Sequence, residues 1–351
     1  MRSSKKEYDA VFVTNIPAFY KVNLFNEIQK KKNILVIFVS NGSTIRNDDF
    51  YSFDFKFDHY FLNEGNFEDR SKIKTLIQLL RKLKSISYKK LIFSGWEVKE
   101  VTLVSLISKY EKNAIVIESS IIETKKTGFT WLMKKIAIGR MSVAYPSGKL
   151  QEAILKALSF KGKTVITHGV GLSNFEKPKE NIKTNFTSNN PLRFIYIGRL
   201  SPEKNVEFIT DIFKDLPYEL VLVGDGELKQ QLEDNKYTNI KFLGYIDNHK
   251  LAKELLLSDC FILPSLSEPW GLVVEESLIL GIPVIVSNRV GCHSDLIKDT
   301  NGIVFDVNDR QSFINALKKM EQNYEHYAIG AREYNAKEMA KAQIDAYVGS
   351  I

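Results

Sequence analysis

The chain has 351 residues, 44% hydrophobic and 26% charged, a globular composition long enough for two cores rather than one. No apolar run could span a bilayer, no signal peptide is expected at the N-terminus, and Cys260 and Cys292 have no metal spacing and read as reduced cytoplasmic thiols. The net charge of +7 is uneven: residues 1–170 hold 29 Lys and Arg against 16 Asp and Glu, whereas residues 171–351 hold 20 against 26, so the first half is expected to face something anionic.

In chain order, "DAVFVT" (9–14) and "NILVIFVS" (33–40) are β-branched apolar runs that predict strands, with a helix between them. "KKLIFSG" (89–95), "NAIVIES" (113–119), "MSVAYPS" (141–147) and "KTVITHG" (163–169) continue the series, with helices expected at 99–110 and 149–159. Residues 173–191 are polar and weakly patterned and predict a linker. The alternation then restarts with strands at 192–198, 218–224, 240–245, 260–265, 283–287 and 302–306, and a last helix at 331–348. Apolar strands alternating with helices imply an α/β fold with parallel sheets covered on both faces. The expected domains are 1–172, a linker at 173–191, and 192–330, each doubly wound and Rossmann-like, with the helical tail 331–351 packing back on the first. Two such domains are expected to face each other across a cleft, with ligands outside the carboxyl ends of the strands.

The residues after each strand are therefore the candidates. In "YIGRLSPEKN", Ser201 is placed as an N-cap and Pro202 at the first helical position, with a helix predicted from 203. Gly198, Arg199 and Lys204 then surround a strand end and a helix N-terminus, a setting that suits a phosphate; the alternative is two solvated charges. "VGDGE" (223–227) is a strand-to-helix turn without a full dinucleotide fingerprint. In "SLSEPWGLVVEESLILGIPVIVS" (265–287), Pro269 and Gly271 make a loop and a helix begins at Leu272. Glu268 lies in that loop and Glu276 about a turn into the helix. Val274, Leu278 and Ile279 are expected to face the core and Glu275 to face solvent.

Glu268 and Glu276 stand as E-x₇-E. With "YIGRLSPEKN", "LVLVGDGEL", "IKFLGYI" and "VGCHSDLIKDTNGIVFD", this resembles the retaining glycosyltransferases of family 4, which have the GT-B fold; the likeness is strong over 192–308 and weaker over 1–170. The resemblance implies a hexosyltransferase of bacterial surface-polysaccharide type. By it, Arg199 and Lys204 hold the donor diphosphate, Glu268 contacts the donor sugar, Glu276 binds the ribose, Gly271, Leu272 and Val273 supply amides, and Tyr245 and Ile246 meet the base. Glu118 in "VIESS" corresponds to an acceptor-side group; the alternative is a structural strand-end carboxylate. The sequence departs from the pattern at "TNIPAFY" in place of a Gly-Gly turn, at "HGVG" (168–171), at Cys292 and at Trp270.

A UDP- or GDP-sugar is the expected donor and a lipid-linked or oligosaccharide acceptor the expected partner, with no cofactor. The sequence has no D-x-D, so no metal is expected at the diphosphate. Residues 71–90 carry seven Lys and Arg and no acid, and 124–140 carry five basic residues with Phe129, Trp131 and Met133. Both suit an anionic membrane surface, which places the protein peripherally on the cytoplasmic face of the cell membrane. No nucleic-acid module is evident, so nucleic acid is not an expected partner. The alternatives are a non-catalytic nucleotide-sugar-binding relative or nucleic-acid binding by the basic half.

Overall fold

The computed structural model describes residues 5–176, 191–235 and 237–351. Residues 177–190 of the expected linker (173–191) therefore lie outside the described residues. The chain divides into two compact units, Met1–Asn174 with Lys337–Ile351, and Phe175–Ala336.

The first unit is built on seven parallel strands: β1 (Glu7–Thr14), β2 (Ile34–Phe38), β3 (Asp58–Phe61), β4 (Ser87–Phe93), β5 (Asn113–Ile117), β6 (Val143–Pro146) and β7 (Lys163–Thr164). Their order in the sheet is β3-β2-β1-β4-β5-β6-β7, so the winding reverses between β1 and β4. Side chains alternate faces along each strand. Val11, Val13, Leu35, Ile37, Leu91 and Phe93 join one buried cluster. Ala10, Phe12, Ile34, Val36, Phe38 and Ile92 join the other. This double burial is why β1 and β2 read as unbroken apolar runs.

Three local readings differ from expectation. β3 went unseen because it is an edge strand with charged and aromatic residues and no apolar run; Phe61 reaches the core by stacking on Phe38, with ring centroids 5.2 Å apart. The helix expected at 99–110 is one α-turn (Lys99–Thr102), a 3-10 turn (Leu103–Leu106) and another at Tyr110–Lys112. Its apolar residues do not keep the helical period, and Leu103, Leu106 and Ile107 are exposed. The last helix is two, Tyr324–Arg332 and Ala336–Val348. Tyr347 in the second packs on Phe12 and Tyr145 of the first unit, centroids 5.8 and 4.8 Å away.

The second unit has six parallel strands: β8 (Arg193–Ile197), β9 (Glu219–Val223), β10 (Ile240–Gly244), β11 (Cys260–Leu263), β12 (Val284–Ser287) and β13 (Gly302–Phe305). Their order is β10-β9-β8-β11-β12-β13, with the reversal between β8 and β11. In an open parallel sheet this reversal leaves a crevice at the carboxyl ends of the two central strands. Arg199 and Lys204 follow β8 and Glu268 follows β11, so both sides of the crevice carry charge.

Candidate active site

The site in the second unit is assembled by backbone contacts among four loops. After β8, the Gly198 amide donates to the Val223 carbonyl at 3.0 Å, and that of Leu200 to Asp225 at 2.9 Å. This closeness demands glycine at 224, where an added Cβ would sit 1.9 Å from the Gly198 carbonyl oxygen. Beneath the loop, Tyr196 is fully buried and its hydroxyl donates to the Arg199 carbonyl at 2.6 Å. Burial above all, and then the charges of Glu268 and Glu203, push the Tyr196 phenol well up, so it stays a donor.

The helix predicted from 203 starts later. Pro202–Lys204 forms a single 3-10 turn, Asn205 is left-handed at φ +58°, and the helix is Val206–Phe213. Asn tolerates that conformation better than most residues. The Asn205 side-chain Nδ2 donates to the Pro264 carbonyl at 3.2 Å, and the Leu266 N–H donates to the Glu203 carbonyl at 2.9 Å. The turn after β8 is thereby fastened to the chain leaving β11. This fastening brings Lys204 against Glu268 as an ion pair between two largely buried side chains.

The Glu268 loop is held from its other side by the loop after β12. Gly291 N–H donates to the Glu268 carbonyl at 2.8 Å, and Cys292 N–H to that of Trp270 at 3.0 Å. Gly271 then takes φ +98° and caps the helix Leu272–Ile279. A Cβ at 271 would also crowd Val290 Cγ1 at 3.0 Å, which adds to the strain of a left-handed backbone for any residue but glycine. Leu272 and Val273 are half-buried and contribute the first helical amides, which have no intrahelical acceptor.

The structure thus brings Lys204 and Glu268 into contact, with Gly198 in the loop that leads to Lys204 and Gly271, Leu272 and Val273 in the chain that follows Glu268. Arg199 is different: its guanidinium is exposed and lies 3.3 Å from Glu203. Glu276 is buried in the helix behind the loop. Tyr245 is exposed and Ile246 half-buried just past β10. Val274, Leu278 and Ile279 are core residues, as expected.

Glu275 does not face solvent. It is buried, accepts a hydrogen bond from the Tyr334 hydroxyl at 3.2 Å, and its carboxyl is pushed up to about 7 by burial. From Val274 to Ile279 every residue of the helix is buried, so Glu275 was left no solvated face. The partner Tyr334 lies 59 positions away, and no local pattern reveals it.

In the first unit, Glu118 follows β5 and pairs with Lys21 at 2.9 Å. Burial alone would lower the Lys21 ammonium, but the Glu118 carboxylate, with Tyr20 and Glu97, raises it and keeps it charged. The pair lines a small open pocket with Asn15, Ser94, Trp96 and Glu97, at the carboxyl ends of β1, β4 and β5. Lys21 carries no motif and was missed; Asn15 belongs to the "TNIPAFY" turn that departs from the family pattern.

Residues 178–338 match the family model described as glycosyl transferases group 1. The chain is 33% identical over 221 residues to a putative teichuronic acid biosynthesis glycosyltransferase, TuaC, of Bacillus subtilis, covering 60% of this chain and 54% of that protein. It is 32% identical over 174 residues to the UDP-Gal:alpha-D-GlcNAc-diphosphoundecaprenol alpha-1,3-galactosyltransferase of Escherichia coli, covering 45% and 44% of the two. The chain thus spans about half the length of these curated relatives. Among solved structures, it superposes on HepE of Anabaena in complex with UDP with a TM-score of 0.69 over 97% of this chain and 96% of that one, at 15% identity. That likeness establishes the fold. Arg199, Lys204, Glu268 and Glu276 all lie within the matched span, so the part of the chain that carries the site is similar to the glycosyl transferases group 1.

Proposed function

We propose that the protein is a retaining glycosyltransferase that moves a sugar from a UDP- or GDP-linked donor to a lipid-linked or oligosaccharide acceptor in surface-polysaccharide synthesis, without a metal. The observation that carries this reading is the Lys204–Glu268 pair, set between loops at the sheet's reversal point. Glycosyl transfer makes the sugar oxocarbenium-like while the nucleoside diphosphate leaves as an anion. Lys204, with Arg199 beside it and the first amides of the helix Leu272–Ile279, offers positive charge where that anion develops. Glu268 offers a carboxylate to sugar hydroxyls, and Glu276, buried in this structure, is given the ribose by the resemblance alone. With fixed cations and amides at the diphosphate, charge neutralisation needs no divalent ion.

The Lys21–Glu118 pocket is the acceptor side in this reading. Its mixed lining of carboxylates, Asn15, Ser94 and the Trp96 ring suits a sugar, whose hydroxyls need partners and whose C–H face stacks on aromatic carbon. The relatives support the setting, since one is named for teichuronic acid synthesis and another for a diphosphoundecaprenol acceptor. The named complex of HepE with UDP supports a UDP-linked donor. Action on such an acceptor would place the protein peripherally at the cytoplasmic face of the membrane; among the described residues no helix is long and apolar enough to cross one.

The test is a thermal-shift series with UDP, GDP and their sugars, followed by hydrolysis of the donor that stabilises most. One nucleotide series is expected to stabilise the protein, and its sugar to be turned over slowly even without acceptor. Wild-type turnover by Lys204→Ala and Glu268→Gln would sink the assignment.

A further inference from the structure

We propose that the helix Gly128–Ile138 and the neighbouring segment 103–110 together form the surface that docks this protein on an anionic bilayer. The proposal rests on the reading of the acceptor as lipid-linked, and it selects one of the two basic stretches of the sequence. The helix buries only Ala137 and Ile138 of its eleven residues. Phe129, 75% exposed, is followed along it by exposed Leu132, Met133 and Ile136. The 3-10 turn Leu103–Leu106 packs beside this helix. From that segment Leu103, Leu106, Tyr110 and Ile107, 72% exposed, also reach solvent. Eight large apolar side chains thus stand out from the helix and from the segment 103–110, whose first turn abuts it, a patch that a soluble surface rarely tolerates.

The other basic stretch behaves differently. In the helix Lys72–Ser85, Leu79 and Leu83 are in the core and Leu76 and Leu80 pack against it. Its apolar stripe is consumed by the sheet, and only Ile73 and Ile77 remain exposed. Amphipathic spacing there reports burial, not docking.

Charge decides the occupant. Lys99, Lys109, Lys125, Lys126 and Lys135 are exposed around the apolar patch, and residues 124–140 contain no acid. Glu100, beside the turn, is buried in a pair with Arg70 at 2.6 Å and does not offset them, and exposed Glu111, next to Tyr110, cancels only one of the five. Protein interfaces are depleted of lysine, whereas an anionic leaflet rewards it at the rim of an inserted apolar face. The remaining lysine of the helix, Lys134, instead lies over the Trp96 ring at 4.6 Å. Trp96 lines the pocket that holds Lys21 and Glu118. The docking helix and the acceptor-side pocket therefore share a side-chain contact, which would hold that pocket at headgroup level.

The experiment is flotation of the full chain with vesicles of phosphatidylcholine alone or mixed with phosphatidylglycerol, at low and high salt. Binding is expected with phosphatidylglycerol and is expected to weaken at high salt. Ile107→Ser with Phe129→Ser should lower it by roughly tenfold or more. Lys125→Glu with Lys126→Glu should also lower it, and Ile73→Ser with Ile77→Ser should bind like the parent protein. No vesicle binding by the parent, an unaffected Ile107/Phe129 variant, or equal loss in the Ile73/Ile77 variant would each overturn the proposal. So would self-association that disappears in the Ile107/Phe129 variant, since the patch would then cover a second copy. Thermal shift by UDP and GDP on the same samples separates the two readings. Retained nucleotide stabilisation in the variants shows an intact fold and donor site. Vesicle binding by a parent protein that no nucleotide stabilises would overturn the donor reading and leave the docking surface standing.

Discussion

The Lys204 ammonium and the Glu268 carboxylate, 64 positions apart, meet as an ion pair of two largely buried groups between β8 and β11. A diphosphate that reached Lys204 would compete with Glu268 for it and release the carboxylate towards the sugar. In the proposed reading the pair would hold both groups ready for one ligand. Lys204→Ala is expected to lower donor turnover by about 10²–10³-fold, the range for removing a preorganised charge partner. Arg199→Ala should cost less, because its guanidinium is half-exposed and already screened by Glu203. Donor hydrolysis by the two variants, with thermal melts as the fold control, checks this order; an Arg199 loss exceeding that of Lys204 would contradict it.

Glu275 gives a pH signature. Its folded value, about 7, lies above the ordinary carboxylate range because burial disfavours the charged form. Between about pH 4.5 and 7 the unfolded chain loses this proton and the folded chain keeps it, so stability falls as pH rises and then levels off. Glu275→Gln removes that dependence. Its melting temperature relative to the parent should therefore rise across this window, to at most about 3 kcal/mol of added stability above pH 7. A difference that stays flat from pH 4 to 8 would show the carboxyl to be unperturbed.

Gly271 caps the helix Leu272–Ile279 at φ +98° with Val290 close by. Gly271→Ala should destabilise the unit by about 1–3 kcal/mol through left-handed strain, and should raise KM for the donor because the loop carrying Glu268 shifts. Gly224→Ala should be worse, since its Cβ would meet a backbone oxygen rather than a side-chain methyl. Chemical denaturation of the two variants checks the order.

Breaking the Lys21–Glu118 pair strands a buried ammonium. Glu118→Ala is expected to cost about 2 kcal/mol, below the range for fully buried pairs because Glu118 keeps some exposure to water. Lys21→Met with Glu118→Leu should recover most of that stability while acceptor-dependent transfer stays low. Recovery of transfer along with stability would make the pair structural only.

Metal independence is tested by EDTA, which should leave donor hydrolysis unchanged. Loss of activity restored by Mg²⁺ or Mn²⁺ would mean that cations and amides at the diphosphate are insufficient.

Much of this molecule was readable in one dimension. Strands buried on both faces announce themselves as β-branched runs, so twelve of the thirteen strands, all but β3, were placed. Short-range chemistry was equally plain: Pro269 and Gly271 forced the loop that carries Glu268, and the helix does begin at Leu272. The edge strand β3 and the broken segment 99–112 escaped, because neither has a period to detect. Lys21 and Tyr334 escaped because what matters about each is a partner far along the chain.

What the sequence by itself determined is the alternation that winds two parallel sheets and the residues that must follow their strands, since these depend on neighbours only a few positions apart. Only the tertiary structure decided which charges meet. Lys204 reaches Glu268 while Arg199 turns to Glu203; Glu275 is enclosed, and one basic helix spends its apolar stripe on the sheet while another leaves it outside. Each of these outcomes depends on which distant surfaces exclude water from a side chain, and pairing and burial of that kind are properties of packed elements rather than of local order.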